Sequence, residues 1–245
     1  MSIIGKEFME KTKYKYMEDS DQEKGIVQPL LELGYGEKDI LIDLPSPKNI
    51  VIGDINLRKA IEERASIRQY SESPLSLEEL TYLLWCTQGV KNVVPGRTRR
   101  NVPSAGARHS FETYLLINNV YGLEKGLYRY LAIENKLLLV STDNNITEKV
   151  TKACMGQKMV ENGAVTFIWG VVVERMYWRY GERGYRYMHL DAGHVCQNLY
   201  LAAESIKSGV CAIAAYDDDE INELLKLDGE DQFVIYIAAV GKKKY

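Results

Sequence analysis

Between Leu190 and Ile206 only Asp191 and Glu204 are charged. The stretch reads as one long helix, closed by Gly209. A helix with so little charge must bury most of its surface. Leu190, Val195, Leu199, Ala202 and Ile206 are read as one apolar face. The other side offers His194, Asn198 and Leu201 instead of the Lys and Glu of a wet surface. The expectation is a helix with the core on one side and a two-fold mate on the other, hence a homodimer.

A chain of 245 residues, 46% hydrophobic and 27% charged, has room for one large domain or two small ones and is no disordered or disulfide-scaffold chain. The net charge of −3 lacks the positive excess of a nucleic-acid binder. Uncharged runs such as Asn162 to Val173 fall short of the roughly 20 apolar residues that span a bilayer, so no membrane segment is expected. The first residues interleave Lys6, Glu7, Glu10, Lys11 and Lys13, unlike an apolar leader. Cys86, Cys154, Cys196 and Cys211 form no Cys-x-x-Cys pair and read as buried thiols of a cytoplasmic protein. His109, His189 and His194 give no metal-ligand spacing, and no metal is expected.

Residues 1–50, ending in the Pro-punctuated Asp43-Leu-Pro-Ser-Pro-Lys-Asn49, read as an N-terminal arm packed on a domain of residues 51–245. Helices are expected over Asn56 to Glu63, from the Ser76/Glu79 capping box to Gly89, over Thr147 to Gln157 and over Asp217 to Leu225. Strands are expected over Phe111 to Asn118, Leu127 to Ile133, Lys136 to Ser141, Val165 to Val173, Val210 to Tyr216 and Phe233 to Val240. The last is followed by a tail, Gly241 to Tyr245. Val90 to Gly106 lacks periodicity, is crowded by Arg97, Arg99 and Arg100, and reads as a long functional loop. Helices and strands mix without regular alternation, which favours α+β.

Three segments are candidates for chemistry. Arg64-Ala-Ser66-Ile-Arg68 gathers two guanidiniums and a hydroxyl, either a phosphate site or a solvated helix terminus. Pro103-Ser-Ala-Gly106 has small residues that let backbone amides approach a ligand, or is a plain turn. Arg179-Tyr180-Gly-Glu-Arg183-Gly-Tyr185-Arg-Tyr187 alternates aromatics and cations, as a flat pocket or as stacked surface pairs. No nucleophile elbow, Walker A loop or dinucleotide fingerprint occurs.

Together these segments resemble the nitroreductase superfamily, in its SagB-type dehydrogenase branch. Arg64 to Arg68 is similar to the family's Arg-Arg-Ser-x-Arg element. Pro74 to Leu80 with Leu84-Trp-Cys-Thr-Gln-Gly89 is similar to the helix after it, and Pro103 to Gly106 to the flavin loop. Gly122 to Tyr130 is similar to the branch's hairpin, and Asp191-Ala-Gly-His-Val-Cys-Gln-Asn-Leu199 to its central helix. Gly5 to Tyr14 looks like the start of stand-alone members. The resemblance implies a central antiparallel or mixed sheet flanked by helices, in a homodimer that binds FMN between subunits. It implies an FMN-dependent oxidoreductase passing electrons or hydride between a reductant, NADH or NADPH, and a small-molecule or peptide substrate. Arg64 and Ser66 would hold the FMN phosphate, with Lys242 as the C-terminal contact. Arg68 would reach the N1/O2 edge, where a cation stabilises reduced flavin. Pro103, Ser104 and Ala105 would cover the flavin from the other subunit. Ala212, Ile213 and Ala214 would approach its ring, Ala214 standing where the family has Gly. Arg179-Tyr180 replaces the Lys-Tyr pair of azoline-forming members and would be the catalytic pair, with Tyr180 as acid/base. Arginine is a poor proton acceptor. Azoline oxidation in a ribosomal peptide is therefore the alternative activity, and a flavin-binding protein without turnover a third reading.

Overall fold

The computed structural model describes residues 3–52 and 55–244. Seven strands form one antiparallel sheet: β1 (Leu41–Asp43), β4 (Phe111–Ile117), β5 (Gly126–Leu131), β6 (Lys136–Ser141), β7 (Val165–Val172), β8 (Ser208–Ile213) and β9 (Gln232–Lys242). Their order across the sheet is β1-β6-β5-β4-β7-β9-β8. A separate hairpin joins β2 (Val90–Val94) to β3 (Arg97–Arg100). The fold is α+β, as the pattern implied.

Central β7 is buried along its whole length. Period-two alternation sends Phe167 and Trp169 to one core and Ile168 to the other. The first core lies under α3 (Leu77–Gln88) and the paired α6 (Val173–Tyr180) and α7 (Gly184–Ser205). The second lies under α4 (Ile146–Ala153), α5 (Met159–Asn162) and α8 (Asp218–Leu225). The predicted capping box of α3 forms in full at Ser76 and Glu79, and two further caps appear: Asn56 opens α2 (Leu57–Glu63) and Asp217 caps α8. No helix among the described residues is long and apolar enough to cross a membrane.

Residues 3–52 include α1 (Ile4–Lys11) and β1, which pairs with β6. Between them the chain is tied to the body by backbone contacts, such as Gln22 N–H to Trp178 O at 2.8 Å. The arm also supplies partners to buried charges. Glu112 accepts from Arg175 at 2.5 Å and from the Leu33 N–H at 2.9 Å. Glu32 accepts from the Ala132 N–H at 2.6 Å.

Several boundaries differ from the sequence reading. Val90 to Gly106 is not one loop, because β2 and β3 occupy most of it. Its inward residues are Thr98 and Arg100, so the alternation carried no hydrophobic signal. Arg100 is buried, donating to Gln88 at 2.9 Å. The helix α7 starts earlier than expected and stops at Ser205, where Lys207 adopts φ 54°. Gly209 lies within β8, where a Cβ would stand 2.5 Å from Ile67 Cβ. The last strand absorbs Gly241 and Lys242, and Tyr245 of the expected tail lies outside the described residues. Leu190 leaves the expected core face and is 61% exposed. It lies one turn before His194, so it shares that residue's outward side.

Candidate functional site

After α2 the chain turns out at Arg64 and runs along β8, with Ile67 N–H donating to Val210 O at 2.9 Å. This seats Ser66 beside α7. The Ser66 hydroxyl lies 3.0 Å from the Tyr200 hydroxyl, which accepts from the Ala212 N–H at 2.9 Å. The Arg64 guanidinium sits 5.3 Å from the Tyr200 ring centroid. Three predicted residues thus meet on one tyrosine that the sequence reading passed over. Tyr200 lay hidden in an apolar helical run, and its hydroxyl is the only polar signal it carried. Ile213 is buried in the second core, and Ala214 is exposed just past the end of β8.

Arg68 and Lys242 do not join this group. Arg68 lines a groove of about 1060 Å³ with Tyr70, Asn119, Lys125 and Lys244. Lys242 lines another, with Ser76, Glu79 and Lys207. Its ammonium is bonded to Glu79 and to Ile206 O. Lys244, not Lys242, therefore shares a groove with a predicted arginine.

The second cluster forms at the other end of α7. Pro103 is exposed, and the Ser104 hydroxyl accepts from the His109 N–H at 2.9 Å. The Ala105 N–H donates to the buried Asp191 carboxylate at 3.2 Å. Gly106 has φ 57°, and a Cβ there would lie 2.5 Å from the Tyr180 hydroxyl and 2.9 Å from Arg179. The left-handed backbone favours glycine, and a Cβ there would push aside the ends of both side chains. The loop and the Arg179-Tyr180 pair, far apart in sequence, are therefore in contact. The Tyr180 and Tyr187 rings meet edge to face at 4.9 Å. Burial raises the Asp191 pKa, opposed by the Ser104 hydroxyl and the Ala105 N–H. Burial, with Arg100 and Arg108 nearby, pulls His109 down to about 3, so its ring is neutral.

Asp191 and Tyr200 are nine residues apart, roughly 14 Å along a helix axis and half a turn around it. One chain thus presents an Arg-Ser-Tyr group at one end of α7 and a loop-Arg-Tyr group at the other.

The sequence profile of the nitroreductase family matches residues 61–242. The chain belongs to the nitroreductase family. As a member of that family it is an oxidoreductase. It is 33% identical over 192 residues to a candidate nitroreductase of Methanocaldococcus jannaschii, covering 78% of this chain and 93% of that one. It is 29% identical over 140 residues to the microcin B17-processing protein McbC of Escherichia coli, covering 55% of this chain and 51% of that one. The trifolitoxin-processing protein TfxB of Rhizobium leguminosarum is 27% identical, over 76% of this chain and 52% of its own. The chain thus spans about half the length of these two processing proteins. Among solved structures, a candidate nitroreductase of Anabaena variabilis superposes with TM-score 0.66 at 27% identity, covering 85% of this chain and 42% of that one. The E. coli microcin synthetase McbBCD complex, with truncated pro-MccB17 bound, gives TM-score 0.65 at 21% identity over 99% of this chain and 92% of that one. This last likeness concerns the fold.

Proposed function

We propose that this oxidoreductase works with FMN, held between two copies of the chain. The observation that carries this is the division of the predicted site into two groups at opposite ends of α7. The donor set at the Tyr200 end suits a phosphate. Arg58 and Lys59 of α2 pair with Glu62 and Glu63. Arg64 and Arg68 have no carboxylate partner among the described residues. A guanidinium and a hydroxyl at the edge of β8 can bind an anion in concert.

FMN, when bound, supplies the redox chemistry, taking electrons from a reductant such as NADH or NADPH and passing them on. The chain's own residues bind, orient and protonate. Arg64 and Ser66 hold the phosphate, and Arg68 places a positive charge near the ring edge. Pro103 to Ala105, from the second copy, exclude water from the ring. Tyr180, its hydroxyl against Gly106, is the group that holds or delivers a proton to the substrate. The mate sits on the outward stripe of α7, where His189, Leu190, Gly193, His194 and Gln197 are exposed. That stripe continues into a groove of about 450 Å³ lined by Leu57, Trp85, Asn198 and Leu201.

Purified protein should be yellow and release FMN, not FAD, on denaturation, and light scattering should give a dimer. Arg64→Ala should weaken FMN binding about tenfold or more, since a charge-assisted contact contributes about 1.5–3 kcal/mol. Asn198→Arg should yield monomers that lose FMN together with the mate. Monomers with full flavin would end the shared-site reading. A second reading, azoline oxidation in a peptide, is favoured by the likeness to McbC and TfxB and opposed by Arg179. Flavin-dependent aromatisation of an azoline peptide by the purified protein would decide for it.

A further inference from the structure

The family profile begins at residue 61, yet the N-terminal segment reaches the Tyr180 cluster. The Tyr14 and Tyr187 hydroxyls are hydrogen-bonded at 2.8 Å across most of the chain length. Arg183 donates to the Tyr187 hydroxyl at 2.8 Å, and its guanidinium lies 4.2 Å from the Tyr14 ring centroid. The same Arg183 donates to Thr12 O at 2.8 Å, and Arg186 to the Thr12 hydroxyl at 2.6 Å. Thr12 is itself buried. Tyr187 in turn sets its ring edge to face with Tyr180. A continuous chain of contacts therefore runs from Tyr14 through Tyr187 to Tyr180 and on to Gly106. Nothing in the core requires it: α1 has no buried residue, and Tyr14 is 68% exposed. Tyr187 is half-buried, but a hydrogen bond made by the exposed Tyr14 adds little to stability, so its geometry is of use mainly to what it touches.

We propose that the N-terminal segment forms a wall of the substrate site and that Tyr14 is a positioning residue for Tyr180, acting through Tyr187. Tyr14 and Arg183 fix the rotamer of Tyr187. Tyr187 then limits the swing of the Tyr180 ring, which keeps its hydroxyl against the flavin loop. This rests on the reading of Tyr180 as the proton-delivering group, and the experiment separates the two.

The flavin-loaded 245-residue protein is compared with Tyr14→Phe, Tyr187→Phe, the double variant and Tyr180→Phe. Turnover is followed as reduction of a soluble benzoquinone, with NADH or NADPH as the electron donor. Tyr14→Phe keeps the ring, so melting temperature and flavin content should be unchanged. Its kcat should fall about threefold to tenfold, the range of one ordinary hydrogen bond, with KM little altered. The double variant should lose no more than the larger single loss, because both changes cut one link. In protein labelled with 3-fluorotyrosine, the Tyr180 resonance, identified by its loss in Tyr180→Phe, should shift in Tyr14→Phe. A Tyr180 resonance that stays in place, or additive losses in the double variant, overturns the proposal. If the resonance shifts but Tyr180→Phe turns over as wild type, the positioning stands and the catalytic reading of Tyr180 fails.

Discussion

At its N-terminal end α7 is held by polar contacts gathered from distant parts of the chain. Arg183 and Arg186 reach the arm at Thr12, and Asp191 reaches the loop at Ala105. At its C-terminal end the helix is held mainly by apolar packing, with polar ties from Tyr200, from Asn198 to Cys86 O, from Ser205 to Tyr82 and from the buried Glu204 to Lys243. Leu199, Ala202, Ala203 and Ile206 are buried, and Tyr200 ties Ser66 to Ala212. The first end carries the aromatic and cationic groups suited to proton delivery. The second carries the anion-binding set, built against a sheet edge. Polar clasps hold a geometry that small changes can retune, whereas a packed edge has two close-fitting surfaces and little slack. The contrast assigns adjustable specificity to the arm end and rigid anchoring to the sheet end.

The strongest test cuts the buried charge beneath the arm end. Glu112 and Arg175 are both almost fully buried, and Arg175 also donates to Leu30 O at 2.8 Å. Glu112→Gln leaves a guanidinium buried without its carboxylate, a change that costs about 3–5 kcal/mol. If the two ends are independently held, hydrogen exchange should speed up in α6 and at Gly184 to Met188. Tyr200 to Ser205 should keep its protection. Equal loss at both ends would show α7 to be one cooperative unit.

Tyr200→Phe addresses the other end. It removes the acceptor of the Ala212 N–H and the partner of Ser66 while keeping the ring under Arg64. An unsatisfied buried donor costs about 1–3 kcal/mol. FMN affinity measured by flavin fluorescence should drop, and the 3-fluorotyrosine resonance of Tyr180 should not move. A shifted Tyr180 signal would mean that the ends communicate.

The same contrast explains how much could be read from the sequence. Part of the sheet end was legible because its signals are local: Arg64 and Ser66 side by side, the apolar run of α7 and the β-branched run of β7, whereas Tyr200 at its centre was hidden in that apolar run. The Ser76/Glu79 capping box was legible for the same reason. What stayed hidden depends on long-range pairing. Thr98 and Arg100 gave β3 an inward face that looked like a basic loop. Leu190 was placed on the core face although its position relative to His194 turns it outward. Lys242 and Lys244 are two residues apart, and the strand runs two residues further than expected, to Lys242. Only the register of β9 decides that Lys242 faces Glu79. Tyr14 sits amid alternating Lys and Glu, with nothing local to mark it as a neighbour of Tyr187.

The smallest expected effect concerns Asp191, where loop and helix meet at the arm end. Its carboxyl is raised above the ordinary aspartate range chiefly by burial. Below the ordinary pKa of about 4 the carboxyl is protonated in folded and unfolded chains alike. As pH rises past that value the unfolded chain releases its proton first. The folded chain keeps its own, so stability falls until the folded pKa is passed and then levels off. Asp191→Asn retains the oxygen that accepts from Ala105 and removes this ionisation. Urea unfolding of both proteins at one concentration, in steps from pH 4 to pH 8, should show little difference at the acid limit. The asparagine variant should gain on wild type as pH rises, then hold a constant lead. Parallel curves would mean that the carboxylate is as well solvated in the folded protein as in the unfolded chain. The clasp between Ser104, Ala105 and Asp191 would then be open to water, and the arm end would lose the enclosure that Tyr180 needs.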